Sequence, residues 1–270
     1  MTTELTEQEP LTETTSHLSA SQLRTYASCS LQWYFSRRYE PESVAAALVF
    51  GRAIHEAIQG FYQCRLEGIT ISLAEMMRLF DGSCASETKA ISFNKTEDAT
   101  SLREKAERML QTFLTEVQPG EIIGVEEPFT SPTEPGLPPL TGRIDLLEIR
   151  TDLDGVKRLH LVDFKTAATR PSTISDLSTD QLILYALAAQ RTGLLAEFNL
   201  PLVLRYDVLT KTKSPEMISL TCTPTKQETA RVIQKARLCW QGMKSNLCLP
   251  SEGWQCSSCG YKSRCAQWPG

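Results

Sequence analysis

The 270-residue sequence has no surplus of positive charge: 28 Lys and Arg stand against 32 Asp and Glu, a formal net charge of −4 at pH 7. A protein that coats nucleic acid through its overall field is basic. That mode of binding is excluded, and any polyanion must be gripped by a local patch or through metal ions. No apolar run approaches the ~18 uninterrupted residues of a membrane-spanning helix. Residues 1–17, rich in Thr and Glu, lack the basic start and apolar stretch of a secretory signal. They also hold too few apolar side chains to repay the entropy of folding. The expectations are a disordered tail over residues 1–18, a cytoplasmic protein and no membrane partner. No internal repeat is visible.

What is present is 41% hydrophobic content, enough over this length to bury a full core, and nine cysteines. Five of these, Cys64, Cys84, Cys222, Cys239 and Cys248, sit in segments that look like ordinary helix, loop or strand, where free cysteine behaves as a small apolar residue. The closing segment differs. Cys256 and Cys259 form a C-x2-C pair, and Cys265 follows amid Gly260, Lys262 and Arg264, where a core role has little rationale. With Cys29 near the start as fourth ligand, and Cys248 as its rival, these thiolates would clasp the two ends of the chain around one metal or cluster. Spacing leaves zinc and iron–sulfur both open, because four thiolates suit either. In a reducing cytoplasm such clustering points to metal chemistry over disulfides.

A serine cap at Ser19–Ser21 opens a helix carrying Leu23, Tyr26 and Ala27, with Cys29 at its far end. An aromatic knot, Trp33–Phe35, and a solvated basic edge, Arg37–Arg38, follow. Apolar spacing predicts a helix over 45–62 and a helical block over 63–118. After Pro119-Gly120 the period becomes two, which predicts a strand to Phe129, a proline-rich hairpin tip over 131–139, and strands at 140–149, 157–165, 201–209 and 216–221. Helices are expected at 179–192 and 225–244. This order suits an α/β fold with a mixed central β-sheet flanked by helices, an N-terminal helical region and a C-terminal cysteine loop, as a single domain over 19–270.

On the 157–165 strand, Asp163 and Lys165 are two apart and so share a face, with Cα atoms ~6.5–7 Å apart. Asp145 interrupts an apolar run on the preceding strand. If the two strands pair as a hairpin, the carboxylates converge within the span of a divalent cation, without which two buried acids would repel. Taken alone, Asp145, Asp163 and Lys165 also fit exposed strand residues with an ion pair. His55 borders an apolar helix stripe as a core histidine does. Gln181 and Tyr185 share one helix face at i,i+4.

Taken together and in order, Gly51-x3-His55, Gly142-Arg143-Ile144-Asp145, Val162-Asp163-Phe164-Lys165-Thr166, Gln181-x3-Tyr185 and Cys256-x2-Cys259-x5-Cys265 with an early Cys29 resemble the RecB-like branch of the PD-(D/E)XK nucleases. Within it they are similar to members with a four-cysteine iron–sulfur cluster, such as CRISPR-associated RecB-like exonucleases and the AddB nuclease domain. The resemblance implies a restriction-endonuclease-like core and a DNA exonuclease or endonuclease acting on single strands or ends. It implies His55, Asp145, Asp163 and the Phe164 carbonyl as ligands of Mg²⁺ or Mn²⁺, with Lys165, Gln181 and Tyr185 serving catalysis. A 4Fe-4S cluster on Cys29, Cys256, Cys259 and Cys265, with zinc as the alternative, is also implied. So are a place in DNA repair, recombination or CRISPR adaptation and helicase, recombination or adaptation proteins as partners. Imidazole in an oxygen-rich shell favours Mn²⁺ over Mg²⁺. Arg143 is placed toward a phosphate, Glu127 is read as a strand-end charge, and Trp254, Tyr261 and Trp268 as shields of the cluster, with base stacking as the alternative. The alternative function is a non-catalytic nucleic-acid-binding or scaffolding module with a structural metal.

Overall fold

Capping side chains set most of the helix starts in the computed structural model, which describes residues 16–269. Ser19 and Gln22 form a capping box at the start of α1 (Ala20–Ser28). Ser72 with Glu75 starts α4 (Leu73–Ala85), Asp98 with Ser101 starts α5 (Ala99–Glu116), and Thr225 with Glu228 starts α7 (Lys226–Lys244). Each box satisfies two backbone donors that the first helical turn leaves open. The remaining helices are α2 (Ser30–Ser36), α3 (Ala46–Leu66), α6 (Asp180–Arg191) and α8 (Lys262–Gln267).

A five-stranded sheet runs in the order β3 (Glu121–Ser131), β4 (Leu140–Thr151), β5 (Lys157–Ala167), β6 (Leu202–Thr210) and β7 (Met217–Cys222). All neighbours are antiparallel except β5 and β6, which are parallel and joined by the crossover containing α6. A short parallel pair, β1 (Val44–Ala45) with β2 (Ile91–Ser92), lies apart from it. The mixed sheet flanked by helices agrees with the sequence expectation, and strand limits differ from it by one or two residues.

Alternation along the strands divides the core. Leu161, Leu204, Tyr206 and Val208 face α1, α6 and α7, whereas Val162, Phe164 and Leu209 face α3, α4 and α5. The α3 stripe of Phe50, Ala53, Ile54, Ala57 and Ile58 is almost wholly buried, and each large side chain of this kind contributes roughly 1.5–3 kcal/mol. On the α3 face, Arg205 donates to Glu148 (2.6 Å) and to both Asp207 oxygens (2.9 Å each). Its third nitrogen lies 3.1 Å from His160 Nδ1. All four residues are buried.

The expected tail over 1–18 falls mostly outside the described residues. Its last residue is part of the fold: Leu18 is buried, donates to the Pro139 carbonyl and accepts from Thr141 N, both at 2.8 Å. The helical block expected over 63–118 comprises the end of α3, then α4, then α5. It is broken at 86–98, where β2 lies and where Asn94 Oδ1 accepts from Thr96 N and Asp98 caps α5. Polar side chains there take the backbone donors a helix would use. The aromatic knot is itself helical, as α2, and Arg38 stacks on Tyr34 at 3.7 Å while Arg37 stays exposed.

Candidate active site

The ladder between β4 and β5 ends at the pair Leu146–Val162. The next pair in that register is Asp145 and Asp163, so both acids stand where the two strands part. Phe164 N, which in a longer ladder would reach a main-chain carbonyl of β4, donates instead to Asp145 Oδ2 at 2.8 Å. The same oxygen lies 2.7 Å from His55 Nε2, delivered from α3 beside the buried Ile54. The His55 ring stands edge-on to Phe164, with centroids 5.8 Å apart.

A further acid completes this group. Ligand atoms of His55, Glu126 and Asp145 all lie within 4.8 Å of one another, and His55 Nδ1 is 3.6 Å from Glu126 Oε1. Glu126 sits on β3 with φ of +55°, a left-handed conformation rare for a non-glycine residue. This interrupts the strand's alternation and aims Glu126 at the cluster, whereas the neighbouring Glu127 stays out of it. The sequence expectation weighed only Glu127; no spacing signal marks a residue whose direction depends on one backbone angle. Arg143 is solvent-exposed at the mouth, 4.0 Å from Glu126 Oε2.

Asp163 and Lys165 occupy the other side of the same opening. Asp163 is 1% exposed and ion-pairs with Lys165. Gln181, one residue into α6, donates to Asp163 Oδ1 at 2.5 Å and accepts from Lys165 Nζ at 3.1 Å, so it fixes both. It also donates to the Tyr185 hydroxyl at 3.2 Å. Asp163 Oδ2 takes the Lys165 ammonium and Oδ1 takes Gln181, so both carboxylate oxygens are engaged. Gly142 makes room for this arrangement: a Cβ there would lie 2.6 Å from the Phe129 ring, which itself packs edge-on to Tyr185 at 5.1 Å.

The electrostatics are those of a site short of positive charge. Burial, and then the Asp145 charge, push the Asp163 carboxyl up to about 6 against the pull of Lys165 and His55. Glu126 is raised by burial and by Asp145. Burial works to lower the His55 pKa, but the hydrogen bond and charge of Asp145, with Glu126 and Asp163 beyond, raise it on balance. Burial lifts the Tyr185 hydroxyl to about 12, so it acts as a neutral hydrogen-bonding group. Acids held this close suit a divalent cation.

The proposed ligand set therefore divides. His55 and Asp145 share a cluster with Glu126, while Asp163 is bound to Lys165 and Gln181 next to it. Phe164 is seen to engage Asp145 through its N–H.

Residues 17–266 match the family model described as the PD-(D/E)XK nuclease superfamily. The chain belongs to that superfamily. PD-(D/E)XK nucleases use divalent metals, and the His55–Glu126–Asp145 group of this nuclease has the donor set to hold one. No curated protein matches the chain. Among solved structures, the nuclease is similar to a Eubacterium rectale protein with a provisional exonuclease designation, at 13% identity over 90% of this chain and 87% of that one, with a TM-score of 0.49. It is also similar to the protein SSO0001, at 13% identity over 92% of this chain and 95% of that one, with a TM-score of 0.32.

At the other end of the nuclease's α1, Cys29 serves as C-cap of α1 and N-cap of α2. It lines a cavity of about 480 Å³ together with Cys256, Cys259 and Cys265. The C-terminal segment is tied there by Leu31 N to Leu249 O (3.2 Å), Glu42 N to Gly260 O (2.8 Å) and the Tyr261 hydroxyl to Tyr39 O (3.3 Å). Burial, followed by the charges of the neighbouring cysteines, raises the Cys265 thiol, and Cys259 is raised by burial too. Cys248 is buried among Leu31, Phe35 and Tyr261 but does not line the cavity, which leaves Cys29 better placed. Trp254 is 88% exposed and shields nothing, whereas Tyr261 is buried in the small core behind the cysteines.

Proposed function

We propose that the protein is a divalent-metal-dependent DNA nuclease of the RecB-like branch, acting on single strands or DNA ends and carrying a 4Fe-4S cluster on Cys29, Cys256, Cys259 and Cys265. The observation that carries the nuclease reading is the meeting of His55, Glu126 and Asp145 beside a fixed Asp163–Lys165–Gln181 group, at the point where β4 and β5 part.

His55, Glu126 and Asp145 would hold the ion, and Asp163 would join them by sharing its carboxylate between the ion and Lys165. A bound divalent ion supplies Lewis-acid charge at the phosphoryl oxygens and lowers the pKa of water. Lys165 Nζ, kept in place by Asp163 and the Gln181 carbonyl oxygen, offers a proton donor and positive charge to the scissile phosphate or orients the attacking water. Tyr185 holds Gln181 from behind. The products would be a 5′-phosphate and a 3′-hydroxyl. The single imidazole among carboxylates supports a preference for Mn²⁺.

At the cysteines, one zinc would draw four thiolates to roughly 3.8 Å from each other, given Zn–S bonds of about 2.3 Å. Among the described residues no three cysteine sulfurs lie within 4.8 Å of one another. The cavity between them supports a polynuclear cluster as occupant.

The test is cleavage of end-labelled single-stranded DNA by chelator-treated protein after Mn²⁺ is returned. Cleavage should reappear with Mn²⁺ and stay absent in Lys165→Ala. Cleavage that persists in Lys165→Ala at the wild-type rate would end the proposal.

A further inference from the structure

A second cavity, of about 490 Å³, opens between α1, α6 and α7 on the side of Lys165 away from His55. Its volume lies within the roughly 300–1,000 Å³ of small-ligand sites. Three helices give it apolar walls, with Leu23 and Ala27 from α1, Leu184 from α6 and Val232 from α7. Its floor is polar and leads straight to the proposed chemistry: Lys165, Gln181 and the buried Tyr206 all line it, and Lys165 Nζ lies 5.3 Å from the Tyr206 ring. Two cations stand at its rim. Lys235 is neutralised by Asp180 at 2.7 Å, whereas Arg24, exposed on α1, has no carboxylate partner among the described residues. The Arg24 charge reaches the Tyr206 hydroxyl, opposing the rise that burial produces there.

We propose that this cavity receives the nucleoside adjoining the scissile phosphate, its base against the apolar helix walls and Arg24 on the flanking phosphate. The inference rests on the nuclease reading and deepens it by naming the subsite that takes the unpaired base and the residue that takes the flanking phosphate. A base seated among three helices is not paired at the same time, so the strand is single-stranded at the point of cleavage. Arg24 is a positioning residue, since its distance from the reacting group is bridged by Tyr206 and Lys165. Its own place depends on the cysteine clasp. The helix that carries it ends on Cys29 and is held to the end of α7 by the Tyr26 hydroxyl donating to Leu247 O at 2.6 Å. The ring meets α7 so closely that a Cβ at Gly242 would lie 2.9 Å from Tyr26 Cζ.

The experiment is steady-state cleavage of a short end-labelled single strand with Mn²⁺, comparing wild type, Arg24→Ala and Arg24→Lys, each also on a strand with an abasic residue next to the cut. Losing a charge-assisted phosphate contact should raise KM roughly tenfold with kcat little changed, and Arg24→Lys should recover part of it. The salt dependence of binding should flatten by about one counterion in Arg24→Ala. The abasic strand should also show a raised KM with wild type. Wild-type KM for both Arg24→Ala and the abasic strand would overturn the pocket while leaving the nuclease intact. If wild type cleaves nothing, the nuclease reading falls, and fluorescence anisotropy of the same strands then decides the pocket: equal Kd for wild type and Arg24→Ala overturns it.

Discussion

Replacing Glu126 separates its two roles, because the strained acid opposes stability without metal and supports it with metal. Glu126→Gln removes a carboxylate that burial and Asp145 make costly to ionise, so the metal-free protein should gain stability at neutral pH. Glu126→Gly also releases the φ of +55°. That relief is about 1–3 kcal/mol, offset by about 0.5–1 kcal/mol for glycine's extra freedom in the unfolded chain. With Mn²⁺ at a hundredfold excess over its Kd, wild type should gain about 2.7 kcal/mol. At about 2–4 °C per kcal/mol for a chain of this size, that is a rise in Tm of roughly 5–11 °C. A site weakened a hundredfold by loss of the Glu126 carboxylate would retain about 0.4 kcal/mol of that gain, or 2 °C at most. Differential scanning fluorimetry in EDTA and in Mn²⁺, alongside cleavage, reads all three proteins. The variants should be the more stable in EDTA, the less responsive to Mn²⁺ and the poorer nucleases. A Gln variant with the full Mn²⁺ shift and wild-type cleavage would refute Glu126 as a ligand.

In EDTA, folded Asp163 keeps its proton up to about pH 6, whereas the unfolded chain loses it near 3.8. The contribution of Asp163 to stability is therefore full below about 3.8 and is lost as pH rises through about 6. The Tm advantage of Asp163→Asn over wild type should grow between about pH 4 and 6, and a pH-independent difference would contradict this. Arg205→Met leaves Asp207 buried without its cation and Glu148 with Arg150 alone, and should cost roughly 3–5 kcal/mol in urea unfolding. Adding Glu148→Gln and Asp207→Asn should recover most of the loss; a single variant within about 1 kcal/mol of wild type would show that the cluster is not effectively buried. Anaerobically purified protein should be brown with broad visible absorption, and Cys29→Ser should lose the colour and lower the Tm. A colourless wild type with bound zinc would rule out iron at the cysteines.

Much of the sheet was legible because period-two runs between Pro119-Gly120 and Cys222 were bounded by turn residues that stop strands sharply. His55, Asp145, Asp163, Lys165, Gln181 and Tyr185 were legible from types and order, and the fold brings them to one opening. Glu126 was not, since its orientation comes from a single positive φ rather than from the alternation of β3. Nor was the Arg205–Glu148–Asp207–His160 cluster, whose members lie on three strands and meet only through the β4–β5 and β5–β6 registers together. The break at 86–98 was hidden because its asparagine and aspartate compete for backbone donors locally, a contest that apolar spacing does not record.

The parting of β4 and β5 works like the stop on a zip fastener, halting just short of the teeth that matter. One additional rung would hand the Phe164 amide to a main-chain oxygen and release the Asp145 side chain from its tether. The β4–β5 register is counted from the turn at 152–156, at the opposite end of the hairpin. Lengthening or shortening that turn by one residue would thus displace the acids relative to each other while touching nothing near them.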